Sequence, residues 1–99
     1  MMSFGELNPL LHSQLRLAIV SLLISVKKAD FSFIKEKTEA SAGNISIQIG
    51  KLEDAGYLKT TKTFKNKRPN TSYTITQKGV KAFEEYVDVL QQYLDVPKK

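Results

Sequence analysis

The sequence predicts an α+β fold that is mostly helical, with a three-helix core, a two-stranded β-hairpin and a long C-terminal helix. Three observations predict it. Apolar residues recur at helical spacing before residue 56, they alternate with polar residues between 57 and 76, and helical spacing then returns. Because 99 residues suit one modest hydrophobic core, we expect a single domain over residues 1–99.

The first helix is expected at residues 8–25, since Asn8 can serve as its N-cap and Pro9 suits the first helical position. The helix is apolar on nearly every side, which predicts that it is buried between neighbours or shared with a second subunit. His12 and Arg16 lie four residues apart on one face. They either contact a subunit or a ligand, or form a polar pair at the rim of the core.

A short second helix is expected at about residues 32–39. Ser32 is its expected N-cap, and Phe31 is expected to add one residue of extended pairing before it. The third helix is expected at residues 41–55, with Ser41 as its N-cap. Two helices joined by so short a turn form a helix-turn-helix signature.

The third helix has an apolar stripe and an outer face of unusual composition. Ile45, Ile49 and Leu52 are spaced i, i+4 and i+7, so they face the core together. Gly56 stands where a left-handed residue would end the helix. The opposite face carries amide side chains and glycines, and Lys51 is its one charge. A merely solvated helix more often carries Glu and Lys, so this face is predicted to be a contact surface.

The β-hairpin is expected to have strands at residues 57–64 and 71–76. The turn over residues 65–70 is rich in turn-forming residues, and its bend is expected at Pro69-Asn70. Three cations would then lie at the tip of the hairpin: Lys65, Lys67 and Arg68.

Positive charge is concentrated in this part of the chain. No acidic residue lies between Asp54 and Glu84, whereas that span contains seven Lys and Arg residues, more than the net charge of +5 of the whole chain. The distribution favours an anionic partner, and a solubilising basic surface is the alternative. Phosphate contacts need reach and positive charge more than close fit, which a hairpin tip provides.

The last helix is expected at residues 77–95, capped by Thr76, and it carries two apolar stripes. One stripe comprises Val80, Phe83, Val87, Leu90 and Leu94, and the other comprises Ala82, Tyr86, Val89 and Tyr93. The domain's own core can cover one of the two stripes, and whichever stripe is left predicts a homodimer through this helix, with help from the first helix. A wide apolar face on a single buried helix is the alternative. The predicted interface residues are Leu11, Ala82, Tyr86, Val89, Leu90 and Tyr93.

The composition excludes several classes of function. The absence of cysteine excludes disulfides, zinc–thiolate sites and thiol redox sensing. One histidine cannot build a metal cluster, and no nucleophile–base pair or phosphate-binding glycine loop is present, so we expect no enzyme activity, no metal and no cofactor. Charged residues interrupt the N-terminal hydrophobic region and no basic leader precedes it, which predicts no membrane span and a cytoplasmic location.

The run GNISIQIGKLEDAGYL, followed by a basic hairpin and YTITQKG, resembles the winged helix-turn-helix DNA-binding domains of MarR- and ArsR-like transcriptional regulators. The likeness is closest to a small single-domain group with the pattern GNLSxHLxKLExAGY. In this chain Ile45 and Ile49 replace leucines, and Gln48 replaces the histidine. The first helix is also similar to the group's H-x-x-x-R-L-x-I-x-x-L-L, and the likeness covers about residues 8–83.

The resemblance implies a homodimeric, sequence-specific transcriptional regulator that binds double-stranded DNA. Helix 41–55 would enter the major groove, and wing residues 65–70 would lie on the backbone or in the minor groove. The residues implied to contact DNA are Ser41, Gly43, Asn44, Ser46, Ile47, Gln48, Lys51, Lys62, Lys65, Lys67, Arg68 and Asn70. The alternative is a protein–protein interaction module on the same fold, which the apolar Ile47 and the spare stripe of the last helix would also serve.

The residue types on the third helix also predict a base preference. Gln48 and Asn44 can each make a bidentate pair with adenine, and Ile47 can pack against a thymine methyl group. With Lys51 as the helix's one cation, we expect half-sites that contain A·T pairs. A small apolar effector in a groove between the first and last helices stays open, although no residue pattern supports one.

Overall fold

The computed structural model describes residues 4–95, which form four helices and a three-stranded antiparallel sheet. The predicted fold class, a winged helix-turn-helix with a long C-terminal helix, is confirmed. The elements in chain order are α1 (Gln14–Val26), β1 (Lys28–Asp30), α2 (Phe31–Thr38), α3 (Ala42–Asp54), β2 (Leu58–Lys65), β3 (Arg68–Ile75) and α4 (Gln77–Leu94).

The sheet has one strand more than the predicted two-stranded hairpin. Its order is β1-β3-β2, and β1 pairs with β3 from Lys28 opposite Thr74 to Asp30 opposite Ser72. The central residue of β1, Ala29, is buried in the core. A strand of three residues that pairs with a partner more than forty residues away has no local alternation for a sequence pattern to detect.

The hairpin turn is tighter than the predicted six residues. Lys65 pairs with Arg68, so the turn consists of Asn66 and Lys67, which both have positive φ, at 53° and 63°. Two-residue hairpin turns need that backbone conformation, and proline cannot adopt it. The bend predicted at Pro69-Asn70 is therefore wrong. Both residues lie in β3, beyond the part that β1 covers, where a missing proline N–H leaves no ladder bond unmade.

The first helix begins six residues later than predicted, at Gln14. Ser13 is its N-cap, and its hydroxyl accepts the backbone N–H of Arg16. Asn8 caps a separate tight turn, because its side chain accepts the N–H of Leu10 at 2.9 Å and its carbonyl accepts that of His12 at 2.9 Å. The turn ends in an extended residue, so the helix starts anew at Ser13.

The second helix is capped by Asp30 and not by Ser32. The Asp30 carboxylate accepts the N–H of Phe33 at 2.8 Å, and Phe31, which was expected to be extended, is the first helical residue. A carboxylate at this position also complements the positive end of the helix dipole, which a hydroxyl does not.

One continuous core lies between the helices and the inner face of the sheet. α1 crosses the middle of the molecule and contacts α2, α3, α4 and the sheet, as an all-round apolar helix should. The buried apolar residues are Leu11, Ile19, Val20, Leu23, Ala29, Ile34, Ile45, Ile49, Leu52, Leu58, Tyr73, Ala82 and Tyr86. Within residues 4–95, no helix has the length and apolarity that crossing a membrane requires.

Candidate nucleic-acid interface

The third helix is held in one orientation by its cap and its buried stripe. The Ser41 hydroxyl accepts the N–H of Asn44 at 3.2 Å, as the sequence predicted. Ile45, Ile49 and Leu52 point into the core and are at most 5% exposed. Since these side chains fix the rotation of α3 about its axis, the opposite side of the helix faces outward.

That outward side carries the residues predicted from the sequence, with one exception in accessibility. Ser41, Gly43, Asn44, Ser46 and Lys51 are exposed. Ile47 is 59% exposed, so this surface includes a large apolar side chain. Gln48 is only half-buried and points toward α1.

Two glycines interrupt α3 without a packing reason. A Cβ added at Gly43 or Gly50 would meet no atom of the described residues within 4 Å. Glycine inside a helix costs about 1 kcal/mol relative to alanine, and neither position has a positive φ that would require it. The two glycines leave the helix backbone without a side chain at two positions of the outer face.

Within the described residues, His12 and Arg16 make separate hydrogen bonds and are not bonded to each other. The His12 Nδ1 atom lies 3.0 Å from the hydroxyl of Tyr86 on α4. Arg16 extends the other way: its Nε donates to the carbonyl of Leu10, and its Nη1 donates to the side-chain oxygen of Gln48. Arg16 therefore links α1 to the outer face of α3, a contact that the sequence pattern did not predict.

The wing is joined to α3 through a rigid junction. Gly56 has φ of 78°, and the N–H of Tyr57 donates to the carbonyl of Leu52 at 2.9 Å. The Thr76 hydroxyl donates to the Gly56 carbonyl at 2.6 Å and accepts the N–H of Gly79 at 3.0 Å, so it both caps α4 and ties the two ends of the hairpin together. This junction sets the direction in which the wing leaves the helix.

The outer part of the wing lies free of the core. Lys62, Lys67 and Arg68 are exposed, and Asn70 is half-buried. The side chain of Lys65, which was also predicted to contact DNA, lies outside the described part of the structure. Sequence reasoning missed Phe64, which is 81% exposed and lies opposite Pro69. The sequence shows an aromatic residue among these cations, but strand periodicity alone does not indicate that this part of the strand extends beyond the core.

The apolar stripe predicted to form a dimer interface is largely covered by its own chain. Leu11, Ala82 and Tyr86 are 0%, 9% and 5% exposed, so these three assignments need correction. The cause is the segment before α1, which folds back on α4. The Tyr93 hydroxyl donates to the carbonyl of Gly5 at 2.7 Å.

The other stripe of α4 is the more open one. Val87 is 41% exposed and Leu94 is 66% exposed, and Phe83 is half-buried. Of the predicted interface residues, Val89 and Leu90 are half-buried and Tyr93 is 39% exposed. The two most exposed apolar side chains of α4, Val87 and Leu94, therefore lie on the stripe that begins at Val80.

Other potential sites are weak. A cleft of about 330 Å³ lies between the segment 6–9 and α4, with Glu6, Glu85 and Tyr86 among its lining residues. No group of three His, Cys, Asp or Glu side chains within residues 4–95 could hold a metal ion.

Burial raises the pKa of the Tyr73 hydroxyl above its usual value of 10.0, and the negative charge of Glu53 raises it further.

Comparison with a family model places most of the chain in one family. Residues 15–94 match the model described as a winged helix DNA-binding domain. A relative from Methanocaldococcus jannaschii, described only as an uncharacterized protein, is 35% identical over 81 residues, which is 81% of this chain and 88% of that protein.

Two solved structures have the same fold. A transcriptional regulator homologue from Pyrococcus horikoshii OT3 superposes with a TM-score of 0.81 at 31% identity, over 87% of this chain and 85% of the other. A MarR mutant from E. coli, complexed with operator DNA, superposes with a TM-score of 0.71 over 83% of this chain and 57% of the other. At 13% identity, that second likeness concerns the fold alone.

Proposed function

Since this chain belongs to the family of winged helix DNA-binding domains, we propose that it is a sequence-specific transcriptional regulator that binds double-stranded DNA as a homodimer. The observation that carries the proposal is the outer face of α3. It is exposed, it has Lys51 as its one cation, and its rotation is fixed by three buried side chains on the opposite side.

In this proposal α3 lies in the major groove. That groove is about 12 Å wide, and a helix with its side chains is about 10–12 Å in diameter, so small residues on the leading face favour close approach. Gly43 and Gly50 supply such a face. Asn44, Ser46 and Lys51 carry exposed polar groups for bases and phosphates, and Ile47 is available for a thymine methyl group.

The wing supplies most of the positive charge. Lys62, Lys67 and Arg68 extend from the part of the hairpin that lies beyond the core, where they can follow the phosphate backbone. Phe64 gives the same region an apolar contact, suited to a deoxyribose or to the wall of the minor groove. Because these contacts are to the DNA backbone, the affinity that the wing provides does not depend on the DNA sequence.

The homodimer forms through α4. Its more open stripe runs along three turns of the helix from the half-buried Phe83 to the exposed Val87 and Leu94, and burying it against a second copy would remove these apolar side chains from water. Two copies related by a twofold axis read two half-sites separated by about one turn of DNA, roughly 10 base pairs. The target is therefore an inverted repeat.

In vitro selection of DNA sites with the purified full chain, run beside a measurement of its mass in solution, tests this function. We expect an inverted repeat and a mass of two chains. Selection that enriches no sequence would contradict the proposal, and a stoichiometric protein partner recovered without retention of any DNA would favour an interaction module instead.

A further inference from the structure

Three side chains form a hydrogen-bonded series that runs from α1 to the outer face of α3. Arg16 donates through Nη1 to the side-chain oxygen of Gln48, and the Gln48 Nε2 atom donates to the Asn44 oxygen at 2.9 Å. Arg16 is itself held by its second donor, Nε, on the carbonyl of Leu10. The exposure increases along the series, from the half-buried Arg16 and Gln48 to the exposed Asn44.

The direction of this series follows from chemistry alone. A guanidinium group has donors and no acceptor, so only the oxygen of the Gln48 amide can face it. The Gln48 nitrogen must then face Asn44, and that nitrogen requires an acceptor, so the Asn44 oxygen turns toward Gln48. The Asn44 nitrogen, with two N–H donors, is left to point away from the protein.

We infer that Arg16 is a positioning residue for base recognition: it orients the amides of Gln48 and Asn44 so that α3 presents donors to the major groove, which selects guanine at the base facing Asn44. The inference rests on the proposed function. Guanine offers two acceptors on its major-groove edge, O6 and N7, whereas adenine offers one acceptor and one donor. A bidentate pair with adenine needs an amide that turns both its oxygen and its nitrogen to the base, and here both oxygens face other side chains.

A preference for guanine at this position replaces the preference for adenine that the residue types of α3 alone suggested. An unrestrained Asn or Gln turns either end of its amide outward, so composition cannot distinguish the two bases. Arg16 determines which end of the amide turns outward, and it lies on another helix, 32 residues before Gln48 in the sequence. Its effect is specificity at one position of each half-site, without any contact between Arg16 and DNA.

The test is in vitro selection with the full-length wild-type chain and three variants. Arg16→Met removes the donor, and we expect the preference for guanine over adenine at one position of each half-site to fall at least about fivefold, which corresponds to about 1 kcal/mol of discrimination between the two bases. Gln48→Glu leaves only acceptors beside Asn44, so the Asn44 amide must reverse. We expect that variant to select a base with an amino group, cytosine or adenine, at the same position.

Lys81→Met is the matched control, because it removes one cation from the exposed surface of α4. It should select the same sites as the wild type. Thermal unfolding followed by circular dichroism checks that each variant is folded, and Gln48→Glu carries the test if Arg16→Met is not. The inference is overturned if the wild type selects adenine at that position, or if the folded variants retain the wild-type preference. If neither the wild type nor Lys81→Met enriches any DNA, the proposed function itself fails.

Discussion

The third helix and the wing differ in how firmly they are held and in how they are charged. α3 is fixed by three buried side chains, by the Ser41 cap and by Arg16, and Lys51 is the one cation of its outer face. In the wing, every side chain described from Lys62 to Pro69 is exposed, and cations recur along it. Base recognition requires groups held in one place, whereas phosphate attraction requires only charge within reach. We therefore expect α3 to determine sequence preference and the wing to determine salt dependence.

The largest effect is expected at the junction that both regions share. A Cβ at Gly79 would lie 2.2 Å from the Tyr57 carbonyl oxygen and 2.8 Å from the Ile75 Cδ1 atom. Gly79→Ala should lower the free energy of unfolding by about 3 kcal/mol, the upper range for overpacking, although helix propensity alone favours alanine. Urea denaturation measures the change. Gly43→Ala is the control, since it meets no described atom within 4 Å, and equal stability of the two variants would contradict the steric argument.

The next effect separates the wing from α3 by charge. Replacing Lys62, Lys67 and Arg68 with alanine together should reduce the steepness of log K against log salt by about 3 units for each bound chain, at about 0.9 for each phosphate that the wing no longer neutralises. The selected sequence should not change. A control with alanine at Lys27, Lys28 and Lys81 removes the same charge outside both regions and should keep the slope. If the slope decreases as much in the control as in the wing variant, the cations act only through net charge.

A smaller effect should appear on α3 without any change in salt slope. Ile47→Ala removes the exposed apolar side chain, so fewer methyl and methylene groups are buried when the protein binds DNA. Affinity for the selected duplex should therefore fall about tenfold. Replacing the contacted thymine with uracil, which lacks the methyl group, should weaken the wild type similarly. The two changes together should weaken binding no more than either alone, and full additivity would show that Ile47 does not contact that methyl group.

The smallest effect concerns the second glycine of the outer face. Gly50→Ala should raise the free energy of unfolding by up to about 1 kcal/mol, since the added methyl group meets no described atom and the helix gains propensity. Affinity for DNA should decrease in the same variant, because the methyl group lies between the helix backbone and the groove. A variant that is more stable and binds DNA as tightly as the wild type would show that the glycine is merely tolerated.

The sequence predicted those features that depend on residues close together in the chain. The caps at Ser41 and Thr76 and the buried stripe of α3 follow from local spacing, and the structure contains all of them. The predicted start of α1 was wrong because Asn8 is an equally good cap for a turn, and the helix itself is capped five residues later by Ser13.

The features that were missed depend on contacts between distant residues. Strand β1 exists because β3 offers it an edge, and the choice of Asp30 as the cap of α2 follows from where that strand ends. The burial of Tyr86 was missed because the segment before α1 packs against α4, which no helical periodicity can reveal. The contact between Arg16 and Gln48 belongs to the same class.

Titration of the full chain with labelled DNA tests the central claim most directly. Fluorescence anisotropy would compare the selected duplex with a shuffled duplex of the same length over a range of salt concentrations. We expect binding of two chains, an affinity at least about 1,000-fold higher for the selected duplex, and a steep decrease in affinity with salt. Equal affinity for the two duplexes, or an affinity that does not change with salt, would contradict it.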